Sequence, residues 1–385
     1  MRNIKEARKR IRRILKSHNK HNYKINKINI QNNSINGFLM IRNKKYFYKL
    51  IKKSEGNKEF QGYLKMIAKY PIPGLYKSYN DYDDHLLIYE YESSISKNKG
   101  LLVDLINQNL DSKLKISIKD IFSVWKENYS KSIKWSKKPT LNENFFKDRI
   151  KSKSRFDKWY KHKHIQINKK KYSFINLLKR AHIINGKLIK ETPYNLYLST
   201  KKELTKSQKK IVVLSTGDPI EMNIGTKPVF FDFENSGTED FIGEAAIFIF
   251  STLIDGGYFS PKYHKNAFWL HPKTIKNIKK HKYKFLNYHL NKNSIIIDYD
   301  LEIQTSRRKI LEKYFKTILY PLSKKAKLKK DILFDKLNKY LFARFLLVHN
   351  ISNMTTKDML LNISMISEIN DIGLKKYLKL HKINI

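Results

Sequence analysis

The sequence has no cysteine among its 385 residues. Disulfide bonds, thiolate metal sites and cysteine nucleophiles are therefore excluded. No run approaches the roughly 18 uninterrupted apolar residues of a membrane span. The first twenty residues also lack the apolar core of a signal peptide. We therefore expect a soluble protein from a reducing compartment, most simply the cytoplasm.

Acidic residues are scarce, with 34 Asp and Glu against 79 Lys and Arg, and the formal net charge is +45. Such a charge favours anionic partners, including nucleic acids and anionic membranes. Lysine, asparagine and isoleucine are nevertheless enriched together along the whole chain, as in residues 19–36. We interpret most of the charge as compositional bias, so a nucleic-acid partner is the less expected one.

One short region contradicts this bias. Residues 215–245 contain seven acids and a single base, Lys227. The carboxylate and amide oxygens of such a region suit Mg²⁺, which binds through one or two carboxylates plus substrate phosphates. The seven acids are Asp218, Glu221, Asp232, Glu234, Glu239, Asp240 and Glu244.

The order of residues inside this region is also informative. Asp218 is followed after five residues by Asn223, and the apolar run 228–231 ends at Asp232. This order is typical of phosphoryl-transfer sites, with a base aspartate, a metal-binding asparagine and a second metal-binding aspartate at a strand end. The alternative is an acidic turn with capping aspartates next to a buried strand.

Residues 21–92 have the pattern of a small strand-rich unit interrupted by one helix. Phe60, Tyr63, Leu64 and Ile67 follow helical spacing, and the prolines at 71 and 73 end that helix. A turn is predicted at residues 32–37. The strand candidates are residues 25–30, 38–42, 46–51, 74–79 and 85–91.

The rest of the chain, residues 93–385, is predicted to be mainly helical. The apolar run 241–254 predicts a buried helix and residues 335–350 predict a second clear one. The isoleucine-rich stretch 293–303 fits either a strand or a helix. No internal repeat or flexible linker is visible, so we expect a tight joint near residues 90–93. The remaining helical segments are expected near 100–110, 117–135, 143–162, 173–185 and 197–214.

The N-terminal residues 4–15 predict a basic amphipathic helix. Ile4, Ala7, Ile11, Ile14 and Leu15 share one face, and arginines and lysines surround the rest. Such a helix suits an anionic membrane or RNA. A helix that covers the first sheet fits the same pattern equally well.

The chain resembles the aminoglycoside phosphotransferase and choline kinase group, which are small-molecule kinases with a protein-kinase-like fold. The family motif is histidine-glycine-aspartate, four residues and asparagine. Here it stands as Thr216-Gly217-Asp218 with Asn223, and Asp232 follows within FFDFE. Motif order covers roughly residues 25–255. Two features depart from the family: Thr216 replaces the histidine, and the gap from Asp218 to Asp232 is short, which implies a clipped hairpin after Asn223.

The resemblance implies an α+β, two-lobed protein-kinase-like fold. The small N-lobe, residues 21–92, would be an antiparallel sheet with one helix that binds the nucleotide. The larger, mainly helical C-lobe, residues 93–385, would carry the catalytic loop, the metal site and the acceptor pocket. Residues 1–20 would form the separate basic helix.

The resemblance also assigns roles to the acidic region. Asp218 would be the catalytic residue that accepts or orients the proton of the attacking hydroxyl. Asn223 and Asp232 would ligate Mg²⁺, the first through a neutral amide oxygen and the second through a carboxylate.

Lys49 is the candidate for the lysine that binds the α- and β-phosphates. It shares one strand face with Phe47 and Ile51, and a buried lysine requires an anionic partner. Glu59 would be its partner, although Glu55 competes for this role. The alternative is an ordinary surface lysine in a lysine-rich chain.

The end of the last N-lobe strand would receive the nucleotide base. Backbone groups of Glu90, Tyr91 and Glu92 would bind it. The loop that would cover the phosphates is weakly defined, because residues 32–38 contain only one glycine, Gly37, and no GxGxxG. A Walker A motif is absent, which disfavours a P-loop enzyme.

The acids that follow Asp232 have two interpretations. They could face a cationic acceptor, or they could cap the helix that begins near residue 241, which we favour. The histidines show no paired metal-ligand spacing, so we interpret His182, His264 and His271 as structural or surface residues. The acids concerned are Glu234, Glu239, Asp240 and Glu244.

The sequence therefore predicts a kinase that uses Mg²⁺ with ATP or GTP. Its acceptor would be a hydroxyl of an amino alcohol, an aminoglycoside-like sugar or a cell-surface glycan sugar, with peripheral docking at an anionic membrane in the last case. A protein acceptor is less expected because no APE-type motif follows Asp232. Thr216 and the glycine-poor loop motivate an inactive pseudokinase scaffold as an alternative, and the basic surface motivates a nucleic-acid-binding protein.

Overall fold

The computed structural model describes residues 4–20, 22–30, 34–91, 100–108, 111–264, 274, 276, 278 and 281–385. The chain forms two compact units. The first comprises Met1–Val124, Leu214–Gly237 and Lys265–Asn277, and the second comprises Trp125–Val213, Thr238–His264 and Ile278–Ile385. The first unit thus contains the expected N-lobe and the region around the motif. The expected boundary near residue 92 stays a prediction.

The first unit contains a five-stranded antiparallel sheet of order β1-β2-β3-β5-β4. Helix α1 (Ile4–Ser17) precedes the sheet, and helix α2 (Lys53–Met66) connects β3 to β4. Helix α3 (Leu102–Gln108) and the start of α4 (Asp111–Ser132) follow it. The strands are β1 (Tyr23–Ile30), β2 (Ser34–Ile41), β3 (Lys44–Lys52), β4 (Leu75–Asn80) and β5 (Asp84–Glu90).

The two faces of this sheet have different partners, because alternate residues of a strand point to opposite sides. Tyr46, Tyr48 and Leu50 form a core with the apolar face of α1. Lys49 lies on the other face, where α2 packs against β3 and β5. Four apolar residues of α1, Ala7, Ile11, Ile14 and Leu15, therefore cover the sheet, which was one of the alternatives for this helix.

The predicted turn at residues 32–37 is wrong for its last four residues, because β2 begins at Ser34 and includes Gly37, and its first two residues lie outside the described ones. A Cβ atom at Gly37 would overlap the carbonyl oxygen of Lys27 and the hydroxyl of Tyr48. That hydroxyl donates a 3.0 Å hydrogen bond to the Lys27 carbonyl. Gly37 thus permits a close approach of β1 and Tyr48.

The second unit is mainly helical, with several short strands. Among the described residues, π-helical turns occur at Asp157–Lys161, Ser251–Phe259 and Phe315–Leu319, and a 3₁₀ turn at Ile351–Asn353. The helices are α5 (Leu141–Ile150), α6 (Phe174–Lys179), α7 (Pro193–Thr205), α8 (Phe241–Phe250), α9 (Ser260–Tyr263), α10 (Thr305–Tyr314), α11 (Tyr320–Lys325), α12 (Lys330–Leu347), α13 (Thr356–Ile372) and α14 (Leu374–Leu380). The strands from Lys134 onward are β6 (Lys134–Ser136), β7 (His164–Ile167), β8 (Lys170–Ser173), β9 (Ala181–Ile184), β10 (Lys187–Leu188), β11 (Lys210–Ser215), β12 (Gly237–Asp240), β13 (Lys282–Leu290) and β14 (Ser294–Glu302). The end of β11 and the first residue of β12 belong to the first unit.

Several sequence predictions for this part of the chain can be compared directly. The predicted buried helix is α8, and the other clear helix corresponds to α12. The open stretch 293–303 is strand β14, which pairs with β13 and β9. The predicted helix 197–214 is wrong at its end, because the β-branched residues of β11 pair with β6 instead. The segment 173–185 likewise divides into α6 and β9.

The continuous helical stretch Phe241–Tyr263 is long and apolar enough to pass a length and composition test for a membrane span. Its 18-residue window has a mean hydropathy of 1.3 and is 100% buried inside the protein. Complete burial is what the central helix of a globular core shows.

The predicted fold class is confirmed within each unit. The N-terminal sheet is small and antiparallel with one helix inserted after its third strand, and the larger unit is mainly helical.

Candidate active site

Lys49 lies between two carboxylates. Its Nζ is 2.7 Å from Oε2 of Glu59 and 2.7 Å from Oδ1 of Asp232. The Glu59 side chain is almost completely buried, whereas 42% of the Asp232 side chain is exposed. The structure therefore brings these three predicted residues together, and the partner of Lys49 on α2 is Glu59 and not Glu55.

The electrostatics of this group follow from the arrangement. Burial alone lowers the pKa of Lys49, but the charges of Asp232 and Glu59 outweigh burial, so the pKa is raised. Lys49 holds the pKa of Asp232 below its usual range, while burial raises the pKa of Glu59 against the effect of Lys49. At neutral pH the site offers an ammonium for phosphate oxygens and an ionised, partly exposed carboxylate for a divalent cation.

Glu59 is held by more than Lys49. Its Oε1 accepts hydrogen bonds from the hydroxyl of Tyr89 at 3.3 Å and from the N–H of Phe233 at 3.4 Å. A Cβ atom at Gly62, one turn further along α2, would overlap the carbonyl oxygen of Phe233. Helix α2 therefore lies directly against the backbone that follows Asp232, which fixes the position of that carboxylate.

Asp232 has a positive φ of 65°. This left-handed conformation is uncommon for residues other than glycine, although aspartate tolerates it better than most. The prediction that Asp232 ends a regular strand is wrong, since only an isolated bridge joins Phe230 to Ile224. The N–H of Gly225 donates to the carbonyl of Val229 at 2.7 Å, so the expected clipped hairpin is present. A residue held in such a backbone conformation costs about 1–3 kcal/mol, and residues of this kind cluster at functional sites.

Asp218 and Asn223 are connected by hydrogen bonds. The amide nitrogen of Asn223 donates to the Asp218 carbonyl at 3.0 Å and to its carboxylate at 3.2 Å. The amide oxygen of Asn223 is then the atom that a metal would bind. The N–H of Phe231 donates to the backbone carbonyl of Asn223 at 2.9 Å. The hairpin thus places Asn223 beside the residue that precedes Asp232.

Thr216, which stands where the motif that the sequence resembles has histidine, is buried, and its carbonyl accepts a 2.7 Å hydrogen bond from the hydroxyl of Ser236. Gly217 has a φ of 88°, and a Cβ there would overlap the carbonyl oxygen of Asn235. The N–H of Gly217 donates to the Ser215 hydroxyl at 3.0 Å. Backbone contacts and serines therefore hold this loop without a histidine side chain.

The donors present fit a magnesium ion. The amide oxygen of Asn223 and the carboxylate of Asp232 are both hard oxygen ligands. Within the described ranges there is no group of three or more His, Asp or Glu side chains that could hold a metal. Further ligands would have to come from phosphates and water, which is the usual arrangement for Mg²⁺ in nucleotide sites.

The predicted base-binding residues lie at the end of β5, and Glu92 lies outside the described residues. The backbone N–H of Glu90 donates to the Gly74 carbonyl at 2.8 Å, so it is already used. The Glu90 side chain pairs with Lys44 at 3.4 Å on the surface. Of the predicted residues, Tyr91 is the one that faces other aromatic rings.

These rings form a group that sequence reasoning missed. The Phe38 ring lies 5.1 Å from that of Tyr91 and 6.1 Å from that of Phe47, measured between centroids. The Nζ of Lys45 lies 4.0 Å from the Tyr91 centroid and 4.1 Å from that of Phe38. Phe47 shares the strand face of Lys49, which was a usable signal. Phe38 could be placed only from the register that pairs it with Phe47.

The remaining acids serve mostly in the second unit. Asp240 caps α8, because its carboxylate accepts from the N–H groups of Ile242 at 2.8 Å and Gly243 at 3.2 Å. Glu239 and Glu244 are buried there. Glu234 belongs to the first unit, and burial and the nearby Asp232 raise its pKa. The favoured capping role is thus present for Asp240.

The histidines have environments of their own. Burial lowers the pKa of His182 to about 4 and also lowers the pKa of His264. His271 lies outside the described residues.

Comparison with known proteins gives likeness among solved structures only, since no family model and no curated protein matches the chain. An amicoumacin kinase solved with AMP-PNP and Ca²⁺ aligns over 99% of this chain and 100% of its own, at 11% identity and a TM-score of 0.49. An aminoglycoside-3'-phosphotransferase of type VIII aligns over 86% and 97%, at 9% identity and a TM-score of 0.40. The PK-1 kinase of Cydia pomonella granulovirus aligns over 33% and 49%, at 21% identity and a TM-score of 0.24. At this level of likeness, the function has to be inferred from the chain's own site.

Proposed function

We propose that this protein is a phosphotransferase that uses a nucleoside triphosphate and Mg²⁺ to phosphorylate a hydroxyl group of a small molecule. The observation that carries the proposal is the position of Lys49 between the buried Glu59 and the partly exposed Asp232. A buried ion pair that also contacts a solvent-facing carboxylate is unnecessary for folding, since apolar residues would stabilise the same place as well. It suits a nucleotide, because the ammonium can bind phosphate oxygens while the carboxylate binds the metal.

The residues divide the work of the reaction. Lys49, oriented by Glu59, would hold the α- and β-phosphates. Asn223 and Asp232 would hold Mg²⁺, which when bound neutralises charge on the phosphates. Asp218 would orient the acceptor hydroxyl and receive its proton as the oxygen attacks the terminal phosphate. Positioning and charge neutralisation supply most of the rate enhancement in such reactions.

The nucleotide base would lie near Tyr91, at the end of β5. The rings of Phe38 and Phe47 offer apolar faces there, on the same side of the sheet as Lys49. We further propose that the acceptor is an amino alcohol, an aminoglycoside-like sugar or a sugar of a cell-surface glycan, and that the protein works in the cytoplasm.

Calorimetry with Mg-ATP and Mg-GTP tests the first step, with the wild type measured beside Asp232→Asn. Asparagine tolerates a positive φ, so this variant removes the charge and keeps the backbone. We expect metal-dependent binding to the wild type and its loss in the variant. ATP consumption with a panel of amino alcohols and sugars then identifies the acceptor class. Absence of nucleotide binding to the wild type would refute the proposal.

An inactive scaffold is the second candidate, and Thr216 motivates it. Such a protein would bind nucleotide without turnover for any acceptor. The contacts of Thr216 and Ser236 favour the active enzyme, because they hold the loop that carries Asp218.

A further inference from the structure

Arginine is distributed unevenly in this chain. Lysines occur throughout, and we attribute their number to compositional bias, but five of the 12 arginines fall within the first 13 residues. A bias toward lysine does not produce an arginine cluster. Arginine also binds phosphate groups bidentately, which lysine cannot do. The clustered residues are Arg2, Arg8, Arg10, Arg12 and Arg13.

The structure shows that two of these arginines attach α1 to the sheet. Arg10 pairs with Asp84 at the start of β5, and Arg13 pairs with Asp81 at 2.6 Å. Most of the apolar face of α1 is covered, with Ile11, Ile14 and Leu15 each at 0% exposure and Ala7 at 2%, while Ile4 at the start of the helix is 54% exposed. Helix α1 is therefore a fixed part of the first unit.

The side of α1 that faces away from the sheet carries a basic stripe, formed by Lys5, Arg8, Lys9, Arg12 and Lys16, all exposed. With 3.6 residues per turn these five residues fall within an arc of about 100°, and at 1.5 Å per residue they extend over about 16 Å. Seven bases and one acid, Glu6, occur within the 14 residues of this helix. The stripe is thus a continuous cationic edge.

The flanks of the helix decide which anionic surface fits. A helix in a nucleic-acid groove needs basic side chains on both of its flanks, because the phosphates lie on both sides of the groove. One flank of α1 has Glu6 with the neutralised Arg10 and Arg13, and the other has Ile4 and Leu15. A site for single-stranded nucleic acid would need aromatic side chains among the basic ones, and the stripe has no aromatic residue. A planar surface touches only the outermost residues, and all five of those are basic.

We propose that the basic stripe of α1 docks this protein on an anionic lipid bilayer. Because the sheet covers every residue of the apolar face except Ile4, the helix does not insert, and the attraction is electrostatic. Each lysine or arginine near an anionic bilayer contributes about 1 kcal/mol, an approximately fivefold change in partitioning. This inference is independent of the proposed phosphotransfer.

Flotation of the full chain with lipid vesicles tests the proposal. We expect binding to phosphatidylcholine vesicles that contain about 30 mol% phosphatidylglycerol, no binding to pure phosphatidylcholine, and release at about 300 mM NaCl. Arg8→Gln with Arg12→Gln should lower the partition coefficient roughly 30-fold. The matched control is Lys170→Gln with Lys171→Gln, which removes the same charge from exposed positions on β8. Asp232→Asn should bind vesicles as the wild type does.

Three results would overturn the proposal. The first is no binding of the wild type to anionic vesicles. The second is an equal loss in the β8 control, which would assign the binding to total charge. The third is displacement from vesicles by a duplex oligonucleotide whose own binding needs Arg8 and Arg12, which would make nucleic acid the partner. Thermal unfolding of both double variants checks that they are folded.

Discussion

The side chain of Asn223 donates hydrogen bonds to both the backbone carbonyl and the carboxylate of Asp218. The amide nitrogen therefore orients the carboxylate that would receive the acceptor proton, and the amide oxygen is the atom that would bind a metal. The proposed base and one proposed metal ligand are thus joined by hydrogen bonds, so we expect a change at either residue to disturb the other.

Replacing Asp218 by asparagine should separate chemistry from binding. We expect turnover to fall by about 10²–10⁴-fold, because the proton acceptor is lost. Nucleotide affinity should change less, since Lys49 and Asp232 would hold the phosphates and the metal and both remain in place. Steady-state kinetics with calorimetry measures both quantities. Asp120→Asn, at an exposed position of α4, is the control and should leave both unchanged. Wild-type turnover in Asp218→Asn would remove this residue from the mechanism.

Glu59→Gln should weaken the nucleotide site, because Lys49 then has Asp232 as its one remaining carboxylate of these two. We expect a fall in kcat/KM of about tenfold or more, and a loss of about 1–3 kcal/mol in the free energy of unfolding. Glu55→Gln, on the same helix, provides the matched control and should leave both quantities near the wild-type values. If Glu59→Gln and Glu55→Gln had the same kcat/KM, the contact between Lys49 and Glu59 would not contribute to activity.

Gly62→Ala tests how closely α2 must approach the segment after Asp232. In a helix with free space at this position, alanine would be more stable than glycine by about 1 kcal/mol. Here its Cβ would overlap the carbonyl oxygen of Phe233, which is a backbone atom and cannot rotate away. We expect a net loss of about 1–3 kcal/mol in unfolding free energy, together with weaker Mg-nucleotide binding because Asp232 is displaced.

The control for this prediction is Gly186→Ala in the second unit. Gly186 has a φ of 77°, and a Cβ atom at this position would meet nothing within 4 Å. Left-handed strain of about 1–2 kcal/mol should lower its stability without affecting nucleotide binding. Chemical denaturation and calorimetry on both variants separate general destabilisation from a local effect. Nucleotide affinity that is unchanged in Gly62→Ala would show that the contact with Phe233 does not position Asp232.

The sequence predicted the N-terminal sheet well because its strands alternate strongly and its helix follows a clear period. It also predicted the proximity of Lys49, Glu59 and Asp232, since motif order restricts where those residues can lie. It failed where tertiary pairing overrides local pattern. Strand β11 followed a helical pattern and became a strand through pairing with β6. The left-handed backbone of Asp232 and the contact of Thr216 with Ser236 depend on residues distant in sequence, so no local signal announced them.

Acidification should destabilise the protein in part through His182, in β9 of the second unit. Burial lowers its pKa to about 4, and this effect outweighs the 2.9 Å hydrogen bond between its Nδ1 and the Arg180 carbonyl, which by itself raises the pKa. Below the ordinary histidine pKa of about 6.5, this imidazole is protonated in the unfolded chain but stays neutral in the folded protein until the pH nears 4. The free energy of unfolding therefore decreases as pH falls from about 6.5 toward 4, by about 2 kcal/mol between pH 7 and pH 5.

Urea denaturation at those two pH values should show a smaller difference in the free energy of unfolding for His182→Gln than for the wild type. His162→Gln, at an exposed histidine, should retain the full difference, and an unaltered difference in His182→Gln would show that this ring does not carry the acid sensitivity.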